Sequence, residues 1–235
     1  MTEMDLERLR ECEAILGHQF SDITLLNTAL VHRSWHAEHG GDVTNERLEF
    51  LGDAVLGWVV ADIAYHRLSD DPEGKLTDLR RSVVNMQALA TLARQLGIGR
   101  FILLGRGETA AGGGDKTSIL ADAFEAIIGA VYLDAGSKSA FDFVERFLRP
   151  SIEVAIPHLE MFDTKTRLQE LCARTSRQAP VYQTDGEGPD HERVFTARVL
   201  INGREWGSGV GRTKKAAEQL AAAAAYDALT EHGDA

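Results

Sequence analysis

Three carboxylates interrupt an otherwise apolar stretch early in the chain. The segment NERLEFLGDAVLGWVV, which begins at Asn45, is rich in core-type residues yet contains Glu46, Glu49 and Asp53. Residues three, four and seven positions apart share one face of a helix, so these acids line up while most of the apolar side chains lie elsewhere. Gly52 costs about 1 kcal/mol relative to alanine inside a helix, and close approach of a neighbouring helix is one reason to keep it.

A second segment repeats this design. In SILADAFEAIIGAVYLDAG, which begins at Ser118, Asp122 and Glu125 are three positions apart and are flanked by apolar residues. Gly129 again interrupts the apolar run. The sequence therefore predicts two helices that each present acids from a largely buried surface.

Clustered carboxylates repel one another, and burial makes the repulsion more costly. A nearby cation such as Arg47 can relieve it, but a hard divalent ion does so better, since Mg²⁺ takes oxygen ligands and keeps several waters. Over a phosphodiester, such an ion lowers the pKa of a bound water and stabilises charge on the phosphoryl oxygens. The alternative is a solvated acidic face, the usual interpretation of an isolated pair such as Asp122 and Glu125. Spacing alone leaves both possibilities open.

Cations gather near the other end of the chain, in GVGRTKKAAEQLAA (residues 209–222). Arg212, Lys214 and Lys215 stand at the start of a predicted helix, an arrangement that suits a phosphate backbone through charge, dipole and amide groups. A solvated helix face is the alternative. Neither GxxxxGK[ST] nor GxGxxG occurs, which excludes P-loop and Rossmann nucleotide sites.

A weaker phosphate-binding hypothesis concerns Lys116, Thr117 and Ser118, just before the second acidic helix. Backbone amides at a helix start and a nearby lysine can hold an anion, although an ordinary capping segment is the alternative. The preceding stretch GRGETAAGGGD (residues 105–115) is glycine-rich and aperiodic, which predicts a mobile loop.

The elements that carry these residues fall into two groups. Up to about residue 152 the apolar periodicity is helical, and the predicted helices are DLERLRECEAILG, SDITLLNTALVHRSW, the first acidic segment, LTDLRRSVVNMQALATLARQLG, the second acidic segment and SAFDFVERFLRP. The predicted boundaries are Ser21-Asp22 and Thr77-Asp78 as N-caps, Gly97 as a stop and Pro150 as the end of the last helix.

The remainder has a different pattern. DTKTRLQELCARTS predicts a helix, VYQTD, RVFTARVLI and REWGSGV predict strands, and TKKAAEQLAAAAAYDALTEHG predicts a final helix. The order α-β-β-β-α predicts a small α+β domain separate from the all-α part. We therefore expect an all-α domain in residues 1–152, a linker in 153–162 that contains the helix breaker Pro157, and the α+β domain in 163–235.

Composition limits the class of protein. The 235 residues carry a formal charge of −11, but residues 163–235 hold 10 Lys and Arg against 11 Asp and Glu, so nearly all of the acidity lies before them. Bulk charge therefore does not exclude a nucleic-acid partner. Cys12 and Cys172 form no CxxC pair, which favours buried thiols over a disulfide or zinc site. A charged N-terminus and the lack of a long apolar run predict a cytoplasmic protein without membrane association.

The motifs resemble those of a known family. NERLEFLGDAVL closely resembles the signature of the ribonuclease III family, which are double-stranded-RNA endonucleases, and DKTSILADAFEAIIGAVYLD resembles the family's second acidic helix. EGKLTDLRRSVVN and LLGRGE are similar to further blocks, so the resemblance covers essentially the whole chain. It implies Mg²⁺-dependent hydrolysis of duplex RNA that leaves a 5′-phosphate and a 3′-hydroxyl with short 3′ overhangs. It also implies processing of ribosomal RNA and other structured transcripts.

The same resemblance implies roles for the acids. Glu49, Asp122 and Glu125 correspond to metal ligands, Asp53 and Glu125 to catalytic positions, and Glu46 to an auxiliary acid of the active-site valley. An oxygen-rich site also permits Mn²⁺. Members of the family form homodimers through the nuclease domain. Part of the apolar surface of the first acidic helix would then contribute to the dimer interface; the alternative is that this surface lies entirely in the core of the domain.

TRLQE, GPDHERVFTARV and GVGRTKKAAEQLAA together resemble a double-stranded-RNA-binding domain. This implies minor-groove contacts from Gln169 and Glu170 and, in the next minor groove, from His191. Lys214 and Lys215, with Arg212, correspond to contacts with phosphates across the intervening major groove. Contacts distributed over two minor grooves and the major groove between them recognise the shape of A-form RNA and hardly depend on its sequence.

Two other classes of protein fit the sequence less well. A non-catalytic RNA-binding protein on the same scaffold has no need of all four acids (Glu49, Asp53, Asp122 and Glu125), and none is missing here. An unrelated helical metal phosphohydrolase is expected to have paired histidine ligands, whereas His32 and His36 have no His-Asp dipeptide nearby.

Overall fold

The computed structural model describes residues 2–40, 43–162, 164–189 and 192–231, without the side chains of 158 and 160–162. The chain forms two compact units, residues 1–155 and 156–235. Within the described residues, none of the helices combines the length and the apolar character that crossing a membrane requires.

The first unit is built from helices. They are α1 (Glu3–Leu16), α2 (Ile23–Ala29), α3 (Arg33–His39), α4 (Glu46–Arg67), α5 (Glu73–Val83), α6 (Met86–Gln95), α7 (Arg106–Ala110) and α8 (Thr117–Phe162), with short 3₁₀ turns at Ile98–Phe101 and Gly113–Asp115. The last residues of α8, from 156 onward, are counted in the second unit. The expected all-α class is confirmed for the first unit.

Helix α8 is broken at Gly136. Its φ of 79° and ψ of −178° lie in a region that only glycine adopts readily. Phe124, before the break, packs against Phe143 and Phe147, after it, with ring centroids 6.3 and 6.1 Å apart. The chain therefore turns back on itself at Gly136, and the two parts of α8 share one core.

Helices α4 and α8 approach each other closely at two glycines. A Cβ on Gly52 would overlap the backbone carbonyl of Glu125, and a Cβ on Gly129 would overlap that of Leu48. The apolar residues around this contact are fully buried, among them Leu56, Val59, Phe124 and Ile127. The close approach expected from Gly52 is present, and it sets the spacing of the acids on the two helices.

Several predicted helix boundaries are wrong. The stretch from Ser21 to Trp35 forms α2 and α3 because Val31 leaves the helix to make a parallel β-bridge with Leu103. The predicted helix LTDLRRSVVNMQALATLARQLG divides into α5 and α6 at Asn85, whose side chain caps α6 by accepting from the Ala88 N–H. Asp22 does cap α2.

Helix α5 begins earlier than predicted. Its N-cap is Pro72, so Thr77 lies inside the helix and does not cap it. Proline suits the start of a helix because it lacks the N–H that would be unsatisfied there.

The segments predicted as loop or terminus are more helical than expected. The glycine-rich stretch 105–115 contains α7, whose Glu108 forms an ion pair with Lys116. Helix α8 continues past Pro150 and Pro157. Proline costs one helical hydrogen bond, but Leu148 and Ile152 on either side of Pro150 are only 2% exposed, and their burial keeps this segment helical. The predicted linker 153–162 is thus helical.

The second unit has the predicted α-β-β-β-α order. It comprises α9 (Thr164–Arg174), β1 (Val181–Glu187), β2 (Val194–Ile201), β3 (Arg204–Gly211) and α10 (Lys214–Glu231). The strands form an antiparallel sheet in the order β1-β2-β3. Asn202 and Gly203, both with positive φ, make the β2–β3 turn.

The core of this unit joins the sheet to α10. Ala217, Ala221 and Ala225 of α10 are fully buried and face the glycines of β3, where a Cβ would meet the helix backbone. The small residues on both elements let helix and strand approach closely, which leaves the start of α10 exposed at the edge of the unit.

Candidate active site

Three predicted metal ligands meet where α4 and α8 cross. Glu49, Asp122 and Glu125 each offer a carboxylate oxygen, and these oxygens all lie within 4.8 Å of one another. We call this group the acidic cluster. Glu49 comes from the first turn of α4, and the other two come from the start of α8 beside Gly52. Two helices that contact through glycine thus bring together residues more than 70 positions apart in sequence.

The negative charges of the acidic cluster are only partly compensated by nearby cations. Burial, reinforced by the charges of Asp53, Asp122 and Glu49, raises the pKa of Glu125 to about 7. Burial also raises the pKa of Asp122, and burial together with neighbouring carboxylates raises that of Glu49. Across the described part of the chain, none of the three forms an ion pair, and Arg47 does not provide one. The protein alone relieves this repulsion only in part, since His32 and Arg33 act to lower the pKa of Asp122 but do not outweigh its burial.

This donor set fits a hard divalent cation. It consists of carboxylate oxygens alone, all half-buried and close enough to share one ion. The ligand atoms are not those of a typical structural zinc site, which uses thiolate and imidazole.

The other two predicted acids lie at the rim. Asp53 is exposed and contributes to the raised pKa of Glu125, and it borders a groove that also contains Arg80 and Arg81. Glu46 is exposed and accepts a hydrogen bond from the Thr44 hydroxyl at 2.8 Å. Their positions separate them from the three acids whose oxygens converge.

A pocket of about 400 Å³ adjoins the acidic cluster. Its walls carry both charges and include Glu49 and Asp122 of the cluster together with His32, Arg33, Asn45, Glu46, Glu108 and Lys116. We call it the adjoining pocket.

Backbone hydrogen bonds hold the walls of the adjoining pocket in place. The Asn45 N–H donates to the Val31 carbonyl at 2.9 Å, and the His32 N–H donates to the Leu103 carbonyl at 3.1 Å. The Ser34 hydroxyl accepts from the Gly105 N–H at 2.9 Å and lies 2.8 Å from His32 Nδ1. Three separate segments are therefore tied together around one cavity.

Sequence reasoning does not find all of this pocket. Spacing and motifs assign no role to Arg33, Asn45 or Glu108, and His32 enters only as a histidine without the partners expected of a metal site. The Glu108–Lys116 pair changes the expectation for Lys116, since its ammonium group is neutralised by a carboxylate within the pocket wall. The detectable signals are that Asn45 directly precedes the first acidic helix and that Glu108 lies in the motif LLGRGE.

In the second unit, the predicted RNA-binding residues lie on the surface. Gln169 and Glu170 are exposed on α9, and Arg212, Lys214 and Lys215 are exposed where α10 begins. Lys165 of α9 and Glu218 of α10 form an ion pair at 2.5 Å, which fixes the two helices relative to each other. His191 lies outside the described residues.

Comparison with known proteins matches both units. A family profile described as Ribonuclease-III-like matches residues 22–152, and one described as a double-stranded RNA binding motif matches residues 164–229. The chain is 50% identical to Ribonuclease 3 of Thermobifida fusca over 228 residues, which cover 97% of this chain and 95% of that protein. It is 52% identical to Ribonuclease 3 of Mycobacterium tuberculosis over 208 residues, 87% of each chain.

Solved structures agree with these relatives. The nuclease domain of ribonuclease III from Campylobacter jejuni is 42% identical to this chain, with a TM-score of 0.57 over 64% of this chain and 97% of that one. The match lies in the part of the fold that carries the acidic cluster. Because identity of about one half extends along nearly the whole sequence, the chain belongs to the ribonuclease III family and is an endoribonuclease.

Proposed function

We propose that this protein hydrolyses phosphodiester bonds in double-stranded RNA with Mg²⁺, and leaves a 5′-phosphate and a 3′-hydroxyl with short 3′ overhangs. Ribosomal RNA and other structured transcripts are the proposed substrates. The observation that carries the proposal is the acidic cluster, whose three carboxylates converge and form no ion pair with any described residue.

In this proposal each acid has a distinct task. Glu49, Asp122 and Glu125 hold the divalent cation, which supplies a water of lowered pKa and stabilises negative charge on the phosphoryl oxygens. Asp53, exposed at the rim beside Glu125, orients the attacking water. Glu46 extends the acidic valley next to the adjoining pocket. Because Glu125 interacts electrostatically with the other acids, protonation in the site belongs to the group and not to one residue.

The second unit supplies affinity for the duplex. Exposed cations at the N-terminal end of α10 suit RNA phosphates, and exposed polar groups on α9 suit 2′-hydroxyls in the minor groove. Lys214 and Lys215 with Arg212 take the first role, and Gln169 and Glu170 take the second; His191 is proposed for the neighbouring minor groove. The match to a double-stranded RNA binding motif supports this assignment.

We also propose that the nuclease domain acts as a homodimer. Phe50 is 80% exposed and Trp58 is 46% exposed on α4, next to the groove that contains Asp53. Exposed aromatic side chains on a helix that carries catalytic acids favour an interface. A matching nuclease domain, that of Campylobacter jejuni ribonuclease III, has structural flexibility in a region involved in dimer formation. A twofold dimer suits the two antiparallel strands of a duplex.

Light scattering tests the dimer. Phe50→Glu is expected to yield a monomer with normal helix content, because a charge on this face opposes association. Phe50 makes little contact within its own chain, so folding should survive. A variant that stays dimeric would place the interface elsewhere.

The substrate panel tests the proposed reaction. The protein is incubated with duplex RNA, single-stranded RNA and an RNA–DNA hybrid of one sequence, with and without Mg²⁺, and the product ends are mapped. We expect cleavage of duplex RNA but not of the single-stranded or hybrid substrate, and only when Mg²⁺ is present. The products should carry 5′-phosphate and 3′-hydroxyl ends. Equal cleavage of single strands or ends with 3′-phosphate would contradict the proposal.

A further inference from the structure

Asn45 carries a buried amide without a hydrogen-bond partner. The residue is 3% exposed, and within the described chain its Nδ2 has no acceptor. Its backbone is fully used, since its N–H donates to Val31 and its carbonyl accepts from the Glu49 N–H at 2.8 Å. Although Asn45 precedes α4, its side chain does not cap that helix. An unsatisfied buried donor is costly, so its retention calls for a ligand.

The amide lines the adjoining pocket next to the acidic cluster. Arg33 lies on the same pocket, is exposed, and forms no ion pair with any part of the chain that the structure describes. The other lysine or arginine side chain of the pocket, Lys116, is already paired with Glu108. Two donors of the pocket wall therefore have no hydrogen bond or ion pair within the described chain, namely the Asn45 amide and the Arg33 guanidinium, although the charge of Arg33 is near enough to Asp122 to act on its pKa.

Two unused donors select a ligand rich in acceptors. Phosphate oxygens accept hydrogen bonds from both amide and guanidinium groups, and guanidinium geometry matches phosphate well. Glu49 and Asp122 line the same pocket, and their carboxylates would repel an anion unless the cation of the proposed function were bound. A phosphate in this pocket therefore belongs to a substrate that enters together with that cation.

We propose that Asn45 and Arg33 form a subsite for an RNA phosphate adjacent to the bond that is cleaved. This inference rests on the proposed function. The phosphate comes from the backbone of the duplex, and the 5′-terminal phosphate of a cleaved product offers the same chemistry. Asn45 donates through Nδ2 to one phosphate oxygen, and Arg33 provides the charge.

Thermal unfolding tests the free amide independently of activity. Asn45→Leu removes the unpartnered donor with little change of volume, and its unfolding midpoint is expected to equal or exceed that of the wild type. Asn85→Leu is the matched control, because Asn85 also precedes a helix but its side chain accepts from the Ala88 N–H and donates to the carbonyls of Arg81 and Ser82. The control is expected to unfold at a lower temperature. A comparable drop in Asn45→Leu would overturn the inference.

A scan with neutral phosphate replacements tests the ligand. Duplex RNAs with one methylphosphonate at successive positions from the cleavage site are cut under single-turnover conditions. In the wild type, one neighbouring position is expected to slow cleavage about tenfold, the effect of one hydrogen bond to a charged group. Asn45→Leu is expected to slow cleavage of normal RNA to a similar extent and to lose sensitivity at that position. Arg33→Gln, at an exposed position, tests the same coupling from the second donor.

A second arm identifies the source of the phosphate. Short product duplexes with a 5′-phosphate or a 5′-hydroxyl are compared as inhibitors of the wild type and of both variants. If a variant loses sensitivity to a methylphosphonate at an internal position, the bound phosphate comes from the RNA backbone. If the wild type is inhibited more strongly by 5′-phosphate products and the variants lose this preference, the bound phosphate is the 5′-terminal phosphate of the product. If the slowing of cleavage by a substitution and the slowing by a phosphate replacement simply multiply at every position, the residue and the phosphate act independently. That result would overturn the subsite. Absence of any duplex cleavage by the wild type would instead refute the proposed function, and the unfolding comparison would still report on Asn45.

Discussion

At the scale of single residues, Glu125 combines the features of the acidic cluster. It is half-buried, it lies beside the α4–α8 contact, and its pKa is raised to about 7 by burial and by three neighbouring carboxylates. A carboxylate in such surroundings is a poor structural choice unless a cation balances it. Glu125 is thus better suited to binding a cation than to stabilising the fold.

Glu125→Gln is predicted to separate catalysis from binding. The substitution keeps the shape but removes a charged ligand, and cleavage should fall by about a thousandfold or more because metal charge stabilisation contributes several kcal/mol. Duplex affinity should change little. Without divalent cations the variant should also unfold at a higher temperature than the wild type, because one repelling charge is gone. Cleavage at the wild-type rate would contradict the assignment.

At the scale of elements, the acidic cluster depends on how closely α4 and α8 approach. Gly52 and Gly129 each remove a side chain at the point where the partner helix presents a backbone carbonyl. This contact holds Glu49 against Asp122 and Glu125. A wider separation would pull the ligand oxygens apart even if every acid were retained.

Gly52→Ala is predicted to destabilise the protein by about 3 kcal/mol or more, since the added methyl overlaps a backbone atom that cannot move aside cheaply. Gly74→Ala in α5 is the control, because among the described residues no atom beyond its chain neighbours and its own helix backbone lies within 4 Å of its Cβ position. That control should be neutral or stabilising by up to about 1 kcal/mol. Chemical denaturation of both variants measures the difference, and equal stabilities would refute the packing argument.

The surroundings of Asp134 in α8 predict that the free energy of unfolding depends on pH. Asp134 accepts hydrogen bonds from the backbone N–H groups of Asp22 (2.9 Å) and Ser21 (3.2 Å) and lies 3.1 Å from His18 Nε2. Burial opposes ionisation, but the hydrogen bonds from Asp22, Ser21 and His18 outweigh it and lower the pKa of Asp134.

Because the folded-state pKa is depressed, this carboxylate stabilises the fold above its ordinary pKa, and the contribution is lost as the pH falls through the folded value. Asp134→Asn should cost about 1–3 kcal/mol at neutral pH. The difference from the wild type should shrink below about pH 4. Denaturation curves across this range measure it, and a difference independent of pH would argue against the carboxylate.

At the scale of the whole molecule, cleavage and duplex affinity reside on different units. The acidic cluster lies in the first unit, and the exposed cations of α10 lie in the second. A net charge of −11 would oppose RNA binding if it were spread evenly. Local grouping of cations overcomes it.

Lys214→Ala combined with Lys215→Ala is predicted to weaken duplex binding and to flatten its salt dependence. Each lost phosphate contact should reduce the slope of log K against log salt by about 0.9. Lys138→Ala with Arg149→Ala removes the same charge from α8, where both cations are paired with acids, and should leave the slope unchanged. An unaltered slope in the Lys214 and Lys215 variant would refute the phosphate role.

Much of the fold could be predicted from local patterns. Helical periodicity predicted the all-α first unit, and alternation predicted β2, because both signals depend on neighbours in sequence. The predicted helix boundaries were wrong where tertiary contacts determine where a helix begins or ends. Val31 leaves a helical segment to pair with Leu103, and α8 runs through Pro150 because Leu148 and Ile152 are buried on either side.

By itself, the sequence determined the acid types, their spacing and the family motifs, because residue identity and helix period suffice for these. Only the tertiary structure decided which carboxylates converge. It brought Glu49, Asp122 and Glu125 together and left Glu46 and Asp53 at the rim, since the crossing of α4 and α8 is set by Gly52 and Gly129. It also buried Asn45 without a partner beside them, because three distant segments close around one pocket and local sequence carries no measure of that closure.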